Sequence, residues 1–232
     1  MSGAGRVVLA TRNAHKVGEL RAVLAPLLPG VEVLGIEETG ADVPEVAETG
    51  VTFAENALLK ARAVAAATGL VAVADDSGIA VDVLGGAPGI FSARWAGRHG
   101  DDAANLALLL AQVADVPAAH RGAAFVCAAA LAAPGGGAAG EHVELGELRG
   151  RLADAPAGSG GFGYDPAFVP EGDERTLAQF SAAEKNAVSH RGRAFALLAP
   201  HVARVLGGPD GRRDEHHPDG VVRGAAGSED GV

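Results

Sequence analysis

An apolar segment, Arg6-Val7-Val8-Leu9-Ala10, gives way near Asn13 to helical spacing, and strand-like and helix-like segments keep alternating as far as Asp75. Asn13 is placed to cap a helix with Val17, Leu20, Leu24 and Leu27 on one face, ended by Pro29-Gly30. Val31 to Ile36 reads as a second strand. Thr52-Phe53-Ala54-Glu55 is a capping box opening a helix that reaches about Thr68 and closes at Gly69. Val71 to Asp75 is a third, buried strand; after a break at Ser77-Gly78, Ile79, Val81 and Val83 alternate as a further strand.

The second half reads differently. Asp101 to Val113 is a helix with Leu106, Leu109 and Leu110 inward. Ala123 to Ala132 and His142 to Leu148, separated by Pro134-Gly135-Gly136-Gly137, form a β-hairpin. Thr176 to Phe180 is a short strand, and Ser181-Ala182-Ala183-Glu184 caps a helical C-terminal region. Alternating strands and helices followed by a hairpin define an α/β class with a mixed sheet. From Gly207 onward the chain is rich in Gly, Pro, Asp and Arg without periodicity, which predicts a disordered tail over residues 207–232 after one domain over 1–206.

With 48% hydrophobic residues the chain can bury a sizeable core, yet no run is long and apolar enough for a membrane helix. A net charge of −10 argues against broad nucleic-acid binding, which needs a basic surface. Cys127 is the only cysteine, so neither a disulfide framework nor a cysteine zinc site is available. The start of the chain lacks the apolar core of a secretory signal, and a cytoplasmic protein is expected.

Thr11-Arg12-Asn13-Ala14-His15-Lys16 lies between a strand and a helix. Backbone amides, a hydroxyl, an amide side chain and a lysine can cradle phosphate there, although an ordinary capped turn accounts for the same residues. It is not a P-loop, whose glycine spacing is absent. Asp75-Asp76-Ser77-Gly78 follows an apolar strand. Adjacent carboxylates repel unless a cation or donors sit between them, and magnesium favours one or two carboxylates plus phosphates. A solvated acidic turn is the alternative. Glu48 is a further carboxylate, or a surface glutamate.

Gly158-Ser159-Gly160-Gly161-Phe162-Gly163 matches Gly-x-Gly-x-x-Gly. Pro166 forbids the helix that a dinucleotide site requires, and no strand clearly precedes the segment. It reads instead as a flexible loop, or as one whose backbone lies against a base with Phe162 or Tyr164 stacking. Lys185, His190 and Arg191 form either a solvated helix end or a set of donors for a purine edge. His216-His217 lacks further ligands.

Together these segments resemble the inosine triphosphate pyrophosphatase family, the Ham1-like pyrophosphatases of non-canonical purine nucleotides. The match runs from Arg6 to about Leu206. It includes Thr11-x-Asn13-x-x-Lys16, Glu48-Thr49-Gly50-x-Thr52-Phe53-x-Glu55-Asn56-Ala57, Ala74-Asp75-Asp76-Ser77-Gly78 and Leu84-Gly85-Gly86-Ala87-Pro88-Gly89. Ser92-Ala93-Arg94, Gly161-Phe162-Gly163-Tyr164-Asp165-Pro166 and Ser189-His190-Arg191-Gly192 complete it. Each motif is weak alone, and their order is specific.

The resemblance implies a two-lobed α/β fold around a long twisted mixed sheet, with a nucleotide cleft between lobes, a homodimer and a magnesium requirement. The implied reaction converts inosine and xanthosine triphosphates, deoxyribose forms included, to monophosphate and pyrophosphate. By position Asp76 matches the general base and a metal ligand, joined by Glu48 and Asp75 as metal candidates. Thr11, Arg12, Asn13, Ala14, His15 and Lys16 match the phosphate-binding segment, with Lys16 also neutralising charge in catalysis. Ser77 matches a substrate contact, while Phe162, Gly163, Tyr164, Asp165, Lys185, His190 and Arg191 match base recognition. Departures are Gln179-Phe180 in place of Glu-Leu, Trp95 in place of Tyr, and the tail. A Maf-like pyrophosphatase with another base preference and a catalytically silent nucleotide-binding protein are the alternatives.

Overall fold

The computed structural model describes residues 5–12 and 14–207. Its six strands, β1 (Arg6–Leu9), β2 (Glu32–Gly35), β3 (Val71–Val81), β4 (Gly122–Ala132), β5 (Glu141–Leu152) and β6 (Phe168–Pro170), form one sheet in the order β2-β1-β3-β4-β5-β6. β1 is parallel to both β2 and β3. From β3 outward every pairing is antiparallel. Connection length accounts for the parallel pairs and for the tight β4–β5 hairpin, whereas β3 reaches β4 antiparallel through the long segment of residues 82–121 that carries a further helix. Helices α1 (Ala14–Leu27) and α2 (Phe53–Thr68) lie in the crossovers that return the chain parallel, whereas a short loop joins β4 to β5. The mixed α/β sheet expected from the sequence is therefore present.

The two faces of the sheet are covered differently. On one, α1 and α5 (His190–Gly207), which follows the short α4 (Ala182–Val188), pack Leu20, Leu24, Phe195, Leu198 and Val202 against Val7, Leu9, Val73 and Leu131. On the other, Ala57, Ala61 and Ala65 of α2 meet Ala72, Ala74, Ala128 and Ala130. Small side chains on both sides let α2 lie close to the strands. A third cluster surrounds the far ends of β3 to β5, where Ile79, Val81, Phe125 and Phe168 meet Leu106 and Leu109 of α3 (Asp102–Gln112). The long strands thus tie two packed lobes together, and residues 75–78 lie between them.

Several local expectations change. β3 runs unbroken through Ser77-Gly78. A Cβ on Gly78 would come within 2.4 Å of the Ser92 hydroxyl and 2.5 Å of the Gly89 carbonyl, so this glycine permits a close crossing rather than a break. Leu27 is exposed and Leu28 takes its inward place, one turn beyond Leu24. Thr52 caps α2 by accepting the Glu55 amide, but the Glu55 carboxylate accepts from Val51 rather than from Thr52. Thr176–Phe180 is not a strand: Leu177–Gln179 forms a 3-10 turn. The Gln179 side-chain oxygen accepts the Thr176 amide at 2.9 Å, so the departure from Glu keeps a cap with a neutral group. The short strand β6 carries too few residues to show a period. Asn13, the residues after Gly207 and His216-His217 lie outside the described residues.

Candidate active site

Successive residues of a strand point to opposite faces. Asp75 and Asp76, both buried in mid-strand rather than at a strand end, therefore enter different surroundings. Their expected mutual repulsion does not arise, because the sheet stands between the two carboxylates.

Asp75 faces α1 and α5. Its Oδ2 lies 3.3 Å from Lys16 Nζ and 3.1 Å from Arg191 Nε, and it accepts the Ser77 hydroxyl at 3.1 Å. Burial opposes its charge, yet Lys16, Arg191 and Lys60 hold its pKa far below the usual carboxylate range. Arg191 also donates to Glu19 at 3.0 Å, which fixes the guanidinium from α1. Cys127 lies on this face with its thiol pushed up to about 12, by burial first and by Asp75 next, and so remains protonated.

Asp76 faces α2. Its Oδ1 accepts from Lys60 Nζ at 2.9 Å and its Oδ2 from Asn56 Nδ2 at 3.4 Å. Lys60 also reaches Glu48 at 3.2 Å. For Asp76 burial outweighs the lysine, and its pKa is raised. Burial acts against the charge of Lys60, but Asp76, Asp75 and Glu48 together keep its pKa above the ordinary value. Asn56, fully buried, accepts the Gly50 amide at 2.8 Å and so pins the loop that carries Glu48.

Lys60 has no site role in the sequence reading, and Asn56 enters it only as part of a family motif. A signal existed: they stand four residues apart on the inward side of α2, polar groups within an alanine stripe. Such groups need buried partners.

Two cavities flank this point. One, of about 520 Å³, is bordered by Thr11, Arg12, Lys16, Glu48, Lys60 and Asp76. Arg12 is anchored there by donating to the Val43 carbonyl. Ala14 and His15 begin α1, and no side-chain geometry is described for them. The other cavity, of about 180 Å³, is bordered by Phe125, Phe162, Tyr164, Lys185, His190 and Arg191. Its loop is tightly built. The Asp165 carboxylate accepts the Phe162 amide at 2.8 Å and Lys185 Nζ at 2.6 Å, and that ammonium lies 4.6 Å from the Phe162 ring centre. Gly161 has φ +70, and a Cβ there would strike the same carboxylate. Tyr164 is buried with its hydroxyl on the Ser92 carbonyl at 2.7 Å, whereas Phe162 is half exposed. Of the two rings considered for stacking, Phe162 alone presents an open face. His190 stacks on Phe125 at 5.1 Å, and burial pushes its imidazole down to about 3, so it is neutral.

Of the proposed metal-binding carboxylates, Glu48 and Asp76 converge on Lys60, while Asp75 is turned away. Among the described residues no three His, Cys, Asp or Glu side chains form a metal cage. No helix among them is long and apolar enough to cross a membrane.

The fold and its cleft define an α/β protein with an acidic compartment joined to an aromatic and cationic one across the centre of a mixed sheet. The chain belongs to the Ham1 family, which it matches over residues 7–201. It is 63% identical over 202 residues to a dITP/XTP pyrophosphatase of Streptomyces avermitilis, covering 87% of this chain and 99% of the relative. A dITP/XTP pyrophosphatase of Mycobacterium tuberculosis is 56% identical over 204 residues, covering 88% of this chain and 98% of the relative. The solved nucleoside-triphosphatase / dITP/XTP pyrophosphatase of Mycobacterium abscessus superimposes with a TM-score of 0.70 at 53% identity, covering 84% of this chain and 99% of that one. A HAM1 protein of Coxiella burnetii superimposes at 0.77 with 38% identity, covering 86% and 98%.

Proposed function

We propose that this chain hydrolyses non-canonical purine nucleoside triphosphates, namely dITP, ITP and XTP, to the nucleoside monophosphate and pyrophosphate. The observation that carries the reading is the meeting of the two compartments at Lys16 and Ser77. A purine in the aromatic compartment extends its phosphates past these residues toward Asp76.

Asp76 accepts a proton from the water that attacks the α-phosphorus. Its pKa, raised by burial, makes it a stronger base than an ordinary carboxylate. Lys60 and Asn56 orient Asp76, and Lys16 faces the phosphate path. Magnesium is the proposed cofactor. The reading is supported by Glu48 and Asp76 both lying against one ammonium, that of Lys60, and by the adjoining cavity, which leaves room for water and phosphate oxygens. When bound there, the ion neutralises and polarises phosphoryl oxygens. Asp75, engaged by Lys16 and Arg191, is left out of this donor set.

Base choice follows from donor inventory. Lys185 and Arg191 only donate, while neutral His190 has one donor and one acceptor. Donors aimed at a 6-oxygen suit hypoxanthine and xanthine and oppose the amino group of adenine. Each stranded group costs about 1–3 kcal/mol. The 2-amino group of guanine must be refused by space or by the lack of an acceptor at the Phe162–Asp165 loop. We further propose a homodimer in the cytoplasm that binds neither nucleic acid nor membrane.

The test is product analysis on a panel of triphosphates with magnesium. Monophosphate and pyrophosphate from dITP and XTP, with ATP and GTP poor, is the expected result. Diphosphate and orthophosphate as first products would overturn the mechanism, and equal efficiency on ATP would overturn the base assignment. Light scattering checks the dimer.

A further inference from the structure

The two compartments share five bordering residues: Lys16, Ser77, Ala93, Asp102 and Phe162. If the base fills one compartment and the phosphates the other, the sugar lies at this seam. Sugar hydroxyls both donate and accept, and a side chain that reads their O–H must supply an acceptor. Ala93 and Phe162 have no polar side-chain atom. Lys16 is a donor held on Asp75, and the Ser77 hydroxyl already donates to Asp75. Asp102 is the remaining side chain, and it accepts only.

Its setting fits that use. Asp102 is the first residue of α3, with Asp101 as the cap. Its Oδ2 accepts the Gly163 amide at 3.0 Å, which holds the carboxylate at the seam and ties it to the aromatic loop. Asp75, Asp76 and Glu48 each sit on a cation, whereas Asp102 forms no ion pair among the described residues. An unneutralised carboxylate beside a triphosphate path is electrostatically unfavourable unless the ligand supplies a donor to it. The relatives are named for both a deoxyribonucleotide and a ribonucleotide, dITP and XTP. These sugars share the 3′-hydroxyl and differ at the 2′-position.

We propose that Asp102 accepts the 3′-hydroxyl of the substrate sugar and thereby sets the position of the nucleotide along the cleft. The assignment rests on the nucleotide reading above. It makes the enzyme selective for a 3′-hydroxyl and indifferent to the 2′-hydroxyl.

The experiment compares kcat/KM for dITP with that for 2′,3′-dideoxyinosine triphosphate in the wild-type protein, Asp102→Ala and Asp102→Asn. The wild type is expected to favour dITP by about tenfold or more, the scale of one hydrogen bond to a charged group. Asp102→Ala should bring the two substrates within about twofold of each other, chiefly through KM for dITP. Asp102→Asn keeps an oxygen for the Gly163 amide but loses the charge, and should also lose most of the preference. A wild type without sugar preference overturns the proposal. So does an Ala variant that slows both substrates equally, or an Asn variant with full preference, since either result confines Asp102 to holding the loop. Pyrophosphate release without sugar preference fails this assignment alone; absence of release from every purine triphosphate fails the nucleotide reading itself.

Discussion

Asp75 and Asp76 share a strand and a chemistry, and differ in the face of the sheet they enter. On the α1/α5 face two cations converge on one carboxylate and fix its charge. On the α2 face one lysine is divided between two carboxylates, and burial keeps the pKa of Asp76 raised. The first arrangement is that of a permanent anchor for Lys16 and Arg191. The second leaves a carboxylate that can still take a proton. Neighbouring identical side chains thus acquire opposite titration behaviour from the count and placement of cations around them.

The sharpest way to break this contrast is to remove the anchor. Asp75→Ala leaves Lys16 and nearly buried Arg191 without their shared carboxylate, and a loss of about 3–5 kcal/mol of stability is expected. Urea unfolding measures it, and a change below about 1 kcal/mol would mean that Asp75 is no anchor. Next in size is Asp76→Asn, expected to lower turnover by about 10²-fold or more, equivalent to about 2.7 kcal/mol. Its stability at neutral pH should change less than that of Asp75→Ala, because relief of the buried Asp76 charge and loss of a partner for Lys60 act in opposite directions. A carboxylate with a raised folded pKa stabilises only below its unfolded pKa and loses that contribution as pH rises through the folded one. A large drop in melting temperature would show that Asp76 is as structural as Asp75.

A pH titration separates the faces by a smaller amount. His190, on the Asp75 side, has its folded pKa lowered from 6.5 to about 3. The unfolded state then binds the extra proton in that window, so this contribution is present above 6.5 and lost as pH falls toward 3, by at most about 1.4 kcal/mol per pH unit. Between pH 6.5 and 5, unfolding free energies of wild type should fall while those of His190→Gln stay flatter; parallel curves would remove His190 from the buried set. The smallest effect concerns the compartment mouth. Phe162→Ala should raise KM for dITP about fivefold, about 1 kcal/mol of lost stacking, with kcat little changed. A fall in kcat alone would place the ring outside the base site.

Much of this was legible in the residues. Thr52, Gly69 and Ser181 announced helix ends, and the alternation of helix and strand segments announced the mixed sheet. Ser77-Gly78 misled because glycine in a strand signals either a break or a close approach, and only the position of Ser92 and Gly89 against Gly78 tells which. Lys60 escaped notice because a lysine on a helix ordinarily reaches water. Its role depends on α2 lying close over an alanine-lined strip of sheet, which is a property of packing.

What the sequence by itself determined is the set of elements, their order, and the chemical groups carried by the motifs, since local spacing and capping act over a few residues. The tertiary structure decided which groups meet. Arg191 reaches Asp75 across 116 positions and Lys60 reaches Asp76 across 16 because sheet register and helix placement bring them there. The division of two adjacent aspartates between anchor and base follows from the same cause: strand geometry turns them apart, and the cations waiting on each face come from segments remote in the chain.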